Sequence, residues 1–172
     1  MRSRTPYCSD ESSVIQRYRI KLGHELPLVA KILICQGVID DVTLAFSDDG
    51  RVWGEIYSDT PPAAHILKWL EAYAQKRHLP LDQFRLNLSH MTPFSKQALN
   101  AIVQVPFGTT CTYGDIASMI GNAKSCRAIG GACHHNPFPL IIPCHRIVTK
   151  NGIGGFAYPV VIKQSLLDFE QG

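Results

Sequence analysis

The chain has 172 residues, of which 45% are hydrophobic and 18% are charged, and its formal net charge at pH 7 is +3. This length and composition suit one sizeable core or two small lobes and exclude an intrinsically disordered chain. No apolar run approaches the roughly 20 residues of a membrane helix, and the N-terminus lacks the apolar stretch of a secretory signal, so we expect a cytoplasmic protein (nuclear in a eukaryote) without a membrane partner.

Charge and cysteine content narrow the possible partners. Residues 1–90 hold eleven Lys+Arg and eleven Asp+Glu, whereas residues 91–172 hold six and three, so the positive excess lies in the C-terminal part. Such a bias suits a polyanionic partner. The six cysteines are expected to be free thiols, and none forms a Cys-x-x-Cys pair, so we predict no metal and no other cofactor. The alternative to a chain without metal is a zinc site that Cys8, Cys35 and N-terminal histidines form in space.

The first 90 residues are predicted to form an α+β domain. Residues 29–35 are an apolar run of strand length. Residues 42–46 and 51–56 flank Ser-Asp-Asp-Gly, a turn sequence, which predicts a hairpin between them. A helical pattern follows over residues 63–76, and a linker with proline and a short possible strand completes this part.

Residues 91–172 are predicted to form a second, mainly α-helical domain. Thr92 can cap a first helix that has proline at its first position. Thr112 can cap a second helix, with Asp115 three residues later as in a capping box. A Gly-Asn turn separates this helix from a third one that ends near His134. Helix, short glycine turn and helix is the pattern of a helix-turn-helix.

The third of these helices contains the small-residue stretch Ala-Ile-Gly-Gly-Ala at 128–132. Each interior glycine lowers helix stability by about 1 kcal/mol relative to alanine, so two adjacent glycines need a reason. Residue types alone favour close packing against another helix in the core. The alternative is a close approach of the helix backbone to DNA, with Arg127 projecting from the same helix.

The segment from residue 136 to residue 148 carries the clearest chemistry. Its three prolines keep the chain extended and irregular, and Leu-Ile-Ile just before Pro-Cys is expected to be buried. Cys144 is flanked by His145 and Arg146. Nearby cations lower the pKa of a thiol from about 8.5, whereas apolar surroundings raise it, so a base or a hydrogen-bond donor is needed. Neighbouring side chains of an extended chain point apart, so His145 reaches Cys144 only through water or a local twist.

Glu170 is our candidate to orient His145. It lies on a helix predicted over about residues 160–170, and its carboxylate can accept the second ring N–H of the imidazole, as in catalytic triads. Two plainer interpretations stay open on residue type alone. Cys144 would then be an inert buried cysteine, and Glu170 a solvated residue at a helix end.

Taken together, these residues resemble the O6-alkylguanine-DNA alkyltransferase family. The resemblance is carried by Pro-Cys-His-Arg-Ile-Val at 143–148, Arg-Ala-Ile-Gly at 127–130, Thr-Tyr-Gly-Asp at 112–115 and Asn-Pro-Phe-Pro at 136–139. It covers about residues 92–172, and the Pro-Cys-His-Arg element, with its spacing from the other motifs, is highly specific. The first part of the chain matches only in general character.

The resemblance implies a ribonuclease-H-like α+β domain over residues 1–90 and an alkyltransferase domain with a helix-turn-helix over residues 91–172. It implies DNA repair by direct, stoichiometric transfer of an alkyl group from O6-alkylguanine, and also from O4-methylthymine, to Cys144, after which the protein is inactive. The partner would be double-stranded DNA, bound by a monomer through the minor groove with the damaged base flipped out of the stack.

The same resemblance implies roles for individual residues at the reaction centre. Cys144 would accept the alkyl group, and His145 and Glu170 would activate it through a water molecule. Asn136 would hold the tight turn before the active segment. Tyr113 would contact the flipped nucleotide and help to protonate the leaving guanine.

The implied DNA surface lies on the second and third C-terminal helices. There Arg127 would fill the gap that the flipped base leaves in the duplex. The small residues of the same helix would let its backbone approach DNA closely, and this replaces the interpretation that they pack against another helix. This surface comprises Arg127, Ala128, Gly130, Gly131, Thr112 and Ser125. The alkyl pocket comprises Pro139, Phe156, Ala157 and Tyr158. Residues 154–159 depart from the family's Gly-Gly-Tyr-x-Gly-Gly, so Tyr158 and Pro159 are expected to narrow the pocket rim.

Two functions from other classes remain as alternatives. A turnover cysteine hydrolase would use Cys144, His145 and Glu170, but no acyl pocket is recognisable, and adjacent Cys-His is poor geometry for direct proton transfer. A non-catalytic module would bind alkylated DNA without repairing it. Relatives of that kind lack the acceptor cysteine, which this chain has.

Overall fold

Four strands in the N-terminal part form one sheet, in the order β1-β4-β2-β3. The computed structural model describes residues 16–23, 28–47, 52–59, 64–77, 79–81 and 84–172. The strands are β1 (Gln16–Gly23), β2 (Leu28–Cys35), β3 (Val38–Phe46) and β4 (Val52–Ser58). β4 pairs antiparallel with β1 and parallel with β2, and β2 pairs antiparallel with β3. β3 therefore lies at one edge of the sheet.

The hairpin predicted between residues 42–46 and 51–56 is wrong, because β2 lies between the two strands concerned. β3 instead forms a hairpin with β2 through the two-residue loop Gln36-Gly37, whose φ angles are 50° and 75°. Positive φ at both loop positions is the type I′ geometry, which matches the twist of paired strands. Most of the Ser-Asp-Asp-Gly turn lies outside the described residues.

One helix packs in the N-terminal part. The pattern predicted over residues 63–76 corresponds to α1 (Ala64–Ala74). Ile66, Trp69, Leu70 and Tyr73 are buried, which is the spacing of one helical face. The possible strand in the linker is a single bridge, in which Leu86 pairs with Ile39 of β3.

The C-terminal part contains four helices and a two-stranded parallel sheet. The helices are α2 (Pro93–Val103), α3 (Tyr113–Met119), α4 (Cys126–His134) and α5 (Val160–Gln171), and the strands are β5 (Cys111–Thr112) and β6 (Ile147–Val148). Both predicted caps are confirmed. The Ser95 amide donates to Thr92 Oγ1 at 3.1 Å, and Thr112 and Asp115 form a reciprocal capping box at the start of α3. Gly121, with a φ of 71°, lies in the turn between α3 and α4.

The fold is therefore mixed α+β, and its buried apolar residues from both parts of the chain form one hydrophobic cluster. The edge of the first sheet contacts the C-terminal part directly, because the Val42 amide donates to Pro137 O at 2.8 Å. This contact anchors the start of the segment that carries Cys144. Within the described ranges, every helix is too short or too polar to cross a membrane.

Candidate active site

Asn136 connects the end of α4 to the segment that carries Cys144. Its Oδ1 accepts a hydrogen bond from the Phe138 amide at 3.0 Å, and its Nδ2 donates to Ile142 O at 2.9 Å. The same Nδ2 lies 3.2 Å from Cys144 Sγ and donates to it. Asn136 thus closes the turn and also supplies a side-chain hydrogen-bond donor to the sulfur.

Cys144 begins a single 3-10 turn that ends at Arg146, and its side chain is buried. An extended chain would direct the side chains of Cys144 and His145 apart, and this turn supplies a local twist between them. Burial raises the pKa of the Cys144 thiol, and the hydrogen bond from Asn136 and the positive charge of Lys163 act in the opposite direction. Because burial prevails, the resting group is a thiol, and a base must remove its proton before the sulfur can attack.

The cation that acts on Cys144 is Lys163 of α5, whereas the sequence suggested the adjacent Arg146. Lys163 is fully buried, and its Nζ donates to Ile147 O at 2.6 Å and to Gly155 O at 3.1 Å. Among the described residues it forms no ion pair. Burial lowers the pKa of Lys163, and the thiols Cys144 and Cys133 raise it.

Glu170 is the most heavily bonded side chain of the site. Its Oε1 accepts from Tyr73 Oη at 2.8 Å, from His145 Nε2 at 2.8 Å and from Arg146 Nη2 at 3.0 Å. Its Oε2 accepts from Arg146 Nε at 2.8 Å and from the Gly108 amide at 3.2 Å. Burial raises the pKa of Glu170, but the bonds and charges of His145 and Arg146 outweigh it and lower the pKa to about 2. The group is therefore a carboxylate, and the solvated alternative is wrong.

The carboxylate of Glu170 fixes the tautomer of His145. Nε2 faces a hydrogen-bond acceptor and must carry the proton, so Nδ1 has a free lone pair. Burial lowers the pKa of His145, although Glu170 raises it, so the ring is neutral at pH 7. Among the described residues, Nδ1 is the one buried side-chain nitrogen or oxygen without a hydrogen-bond partner in the protein. A buried basic lone pair on the residue next to Cys144 in the chain is suited to accept the thiol proton through a water molecule.

A cavity of about 390 Å³ opens between α4 and the loop before α5. On one side it is lined by Cys126, Arg127, Gly130, Cys133 and His134 of α4, and on the other by Tyr113, Gly155 and Phe156. Burial raises the pKa of Tyr113 to about 12, and the thiols Cys133 and Cys144 contribute to the rise. Tyr113 is thus a neutral phenol in the cavity wall. It lies close enough to Cys144 for a negative charge on that sulfur to raise the pKa of the phenol.

Of the four residues predicted to form the pocket, Phe156 lines this cavity, and Pro139, Ala157 and Tyr158 do not. Pro139 is buried, whereas Ala157 is exposed. Tyr158 Oη donates to Val42 O of β3 at 3.3 Å, and its ring contacts that of Phe156 with a centroid distance of 5.7 Å. Cys133 and Gly155 line the cavity without having been predicted.

The two glycines of α4 are not explained by close packing. A Cβ added at Gly131 would meet nothing within 4 Å, and one at Gly130 would meet only the Tyr113 ring, at 3.9 Å. Arg127 and Ala128 are exposed on the same helix. This face of α4 is therefore open to a partner, and its small side chains keep the helix backbone accessible.

Two residues of the predicted DNA surface use their hydroxyl groups locally. Thr112 Oγ1 accepts from the Asp115 amide at 3.1 Å within the capping box. Ser125 is buried, and its Oγ donates to Asn122 O at 2.6 Å. Both side chains shape the turn before a helix, and only the Thr112 side chain is partly accessible.

Three residues of the site were missed from the sequence. Tyr73 belongs to α1, far from Glu170 along the chain, and would be taken for core. Gly108 has a φ of 73°, and a Cβ there would lie 3.0 Å from Glu170 O. Lys163 had a usable signal, because it occupies a buried position of α5 beside Ile162 and Leu166. No group of three or more His, Cys, Asp or Glu in the described part could hold a metal, and Cys8 lies outside that part.

Known proteins resemble this chain in sequence. A family model described as "6-O-methylguanine DNA methyltransferase, DNA binding domain" matches residues 93–172. A protein of Acanthamoeba polyphaga mimivirus named "Probable methylated-DNA–protein-cysteine methyltransferase" is 41% identical over 146 residues, which are 82% of this chain and 92% of the viral protein. A methylated-DNA–protein-cysteine methyltransferase of Methanocaldococcus vulcanius is 44% identical over 91 residues, which are 53% of each protein. The chain thus spans nearly all of the viral relative but about half of the archaeal one.

Solved structures extend the likeness to the N-terminal part. The O6-methylguanine-DNA methyltransferase of Pyrococcus kodakaraensis strain KOD1 has 25% identity and a TM-score of 0.64, over 84% of this chain and 99% of the other. The Mycobacterium tuberculosis OGT protein, solved in complex with DNA, has 24% identity and a TM-score of 0.64, over 83% of this chain and 92% of the other. The sheet and the helices therefore belong to one shared fold.

Proposed function

Because this chain belongs to the methylated-DNA–protein-cysteine methyltransferase family, we propose that it repairs DNA by moving a methyl group from O6-methylguanine to its own Cys144. The observation that carries the proposal is the buried Cys144, whose sulfur accepts from Asn136 Nδ2 at 3.2 Å and which is followed in the chain by a buried base, His145, whose Nε2 is held by Glu170 at 2.8 Å. The reaction needs no cofactor, because these groups supply a nucleophile and a base.

The chemistry starts with the removal of a proton from Cys144. The thiol proton passes through a water molecule to the free lone pair of His145 Nδ1, and the positive charge of Lys163 stabilises the thiolate. The thiolate attacks the methyl carbon, so a sulfur–carbon bond forms as the carbon–oxygen bond breaks. The electron pair of the broken bond stays on guanine, which takes up a proton with help from the Tyr113 hydroxyl. The resulting thioether is not hydrolysed, so each molecule reacts once.

Double-stranded DNA is the proposed partner. The family model describes a DNA-binding domain, and the Mycobacterium tuberculosis relative was solved with DNA. We propose that α3, the turn at Gly121 and α4 form a helix-turn-helix that binds the minor groove as a single copy, with the open face of α4 against the backbone. The N-terminal sheet with α1 is the proposed ribonuclease-H-like lobe.

The target atom lies inside the base stack, so the damaged base must flip out, which costs a few kcal/mol. The cavity between α4 and Phe156 is the proposed binding site of the flipped base, because its volume of about 390 Å³ lies in the range of small-molecule pockets. O4-methylthymine carries its methyl group on an equivalent exocyclic oxygen and is the second proposed substrate.

Incubation with duplex DNA containing O6-methylguanine is expected to add one methyl group to the protein, at Cys144. The measurement is intact mass, followed by mapping of the modified peptide. Cys144→Ala should show no gain, whereas Cys111→Ala, which removes a half-buried thiol of β5, should behave as the wild type. Retained DNA binding without any gain would favour the non-catalytic module, and repeated turnover of an ester would favour the hydrolase. A parallel duplex with O4-methylthymine tests the second substrate.

Arg127→Ala is expected to lower the rate of repair in duplex DNA by about 10- to 100-fold, because an inserted arginine offsets part of the cost of flipping. Reaction with free O6-methylguanine should change little, since a free base needs no extrusion. The ratio of the two rate constants is the measurement, and Lys68→Ala, which removes an exposed charge from α1, is the control. Equal losses on both substrates would contradict the role of Arg127 in extrusion.

A further inference from the structure

We propose that Tyr73 of α1 is a positioning residue of the active site, whose hydroxyl holds the Glu170 carboxylate and thereby sets the proton affinity of His145. The inference rests on the proposed function, because it assigns His145 the task of accepting the Cys144 proton. It gives the N-terminal part a share in the chemistry, although all residues implied by the family motifs lie in the C-terminal part.

The geometry places three donors on one oxygen atom, because Arg146 Nη2 donates to Glu170 Oε1 at 3.0 Å beside Tyr73 Oη and His145 Nε2. Tyr73 Oη and His145 Nε2 both lie 2.8 Å from Glu170 Oε1, and Tyr73 is 97 residues away from Glu170 along the chain. Each donor draws on the same lone pairs and the same negative charge. A bond from Tyr73 therefore weakens the hold of Glu170 on the imidazole proton of His145.

Tyr73 is built to act as a donor. Burial raises its pKa well above the usual value, and the negative charge of Glu170 adds to the rise, so the phenol keeps its proton. Its ring is stacked on Trp69 with a centroid distance of 5.6 Å and contacts Phe107 and Phe169 at 5.7 Å. Rings on several sides fix the position of Tyr73 Oη beside Glu170 Oε1.

Charged and titratable groups face His145 from α5 and from its own turn. Glu170 and Lys163 reach it from α5, and Cys144 and Arg146 belong to its own turn. Arg146 already balances the charge of Glu170 through two hydrogen bonds, at 2.8 and 3.0 Å. The Tyr73 bond is therefore not needed to keep the carboxylate ionised, and its effect falls on the neighbouring bond to His145.

The sign of the effect follows from this competition. Without the hydroxyl, Glu170 Oε1 binds the imidazolium form of His145 more strongly, so the pKa of His145 rises. Protonated His145 cannot accept the Cys144 proton, so the acid limb of methyl transfer moves to higher pH. A stronger donor at position 73 would move the limb to lower pH.

Tyr73→Phe is the test, because it keeps the aromatic ring and removes only the hydroxyl. We expect the acid limb of the rate constant, measured from pH 5 to pH 9, to move up by about half to one pH unit. The imidazole nitrogen signals of His145, assigned by comparison with His145→Gln, should titrate with the same displacement. This second readout reports the proton affinity without any methyl transfer.

Two controls make the outcome specific. Tyr57→Phe removes another tyrosine–carboxylate bond, from Tyr57 Oη to Glu55 Oε2 at 3.0 Å, and should leave both titrations unchanged. Site-specific 3-fluorotyrosine at position 73 keeps the hydroxyl but makes it a stronger donor, so the expected displacement has the opposite sign. It also provides a variant with an intact hydrogen bond if Tyr73→Phe does not fold.

The inference and the proposed function fail in different ways. Wild-type protein that accepts methyl groups, together with unchanged His145 titrations in the Tyr73→Phe and fluorinated proteins, would overturn the positioning role and leave Tyr73 a packing residue. Wild-type protein that accepts no methyl group would overturn the proposed function, and the nitrogen titration would still decide whether Tyr73 sets the proton affinity of His145.

Discussion

Glu170→Gln is expected to lower the rate constant of methyl transfer by about 100-fold or more and to destabilise the fold by about 3–5 kcal/mol. The carboxylate accepts five hydrogen bonds, and two of them come from the buried guanidinium of Arg146. A glutamine amide turns an NH2 group toward one set of these donors and leaves Arg146 without a counter-charge. His145 loses the acceptor that fixes its tautomer.

The measurements are the transfer rate by intact mass and the free energy of unfolding in urea. Asp168→Asn is the matched control, because it makes the same change to an exposed carboxylate on α5, which accepts a hydrogen bond from Gln164 Nε2 at 2.7 Å. That variant should stay within about 0.5 kcal/mol of the wild type. Transfer by Glu170→Gln within threefold of the wild-type rate would contradict the assignment of Glu170.

Lys163→Met is expected to lower the rate at neutral pH by about 10- to 100-fold without a comparable loss of stability. The lysine charge lowers the pKa of Cys144, so its removal leaves burial less opposed and the thiol harder to ionise. Methionine keeps the volume of the side chain. It removes a donor from two carbonyl oxygens, of which Gly155 O keeps the bond from Tyr113 Oη at 3.4 Å. The cost of burying a cation also disappears, so the two changes largely offset.

In the Lys163→Met variant the transfer rate should fall while the free energy of unfolding stays nearly unchanged. The rate should continue to rise at pH values where the wild type has levelled off, because more alkaline conditions are needed to form the thiolate. Urea unfolding should shift by about 1 kcal/mol or less. Lys150→Met, at an exposed lysine after β6, serves as the control. A large loss of stability with an unchanged pH profile would reduce Lys163 to a structural residue.

Local chemistry explains what the sequence could predict. The caps at Thr92 and Thr112 were found because a helix cap depends on residues within one turn of each other. Cys144 and His145 were found together for the same reason. Glu170 required one inference about distance, that the last helix returns to the active segment. On position alone, near a helix end, the solvated alternative was the stronger interpretation.

Non-local pairing explains what the sequence could not predict. The two strands around the Ser-Asp-Asp-Gly turn looked like partners, but strand order depends on the whole sheet, and β2 lies between them. The signal for the true hairpin was Gln36-Gly37, a weaker turn sequence. The cation that acts on the Cys144 thiol was also not its neighbour in the sequence. The 3-10 turn directs Arg146 to Glu170, and Lys163 reaches the site from α5.

The contacts of β3 with the rest of the chain have a consequence for solubility. A strand at the edge of a sheet offers unpaired amides and carbonyls, which other chains can use for β-aggregation. On β3, residues 85 and 87 bond to Ile39, and both backbone groups of Val42 are engaged, by Pro137 O and Tyr158 Oη. The segment around residues 85–87, the segment that leads to Cys144 and the loop before α5 therefore together protect this edge from intermolecular strand pairing.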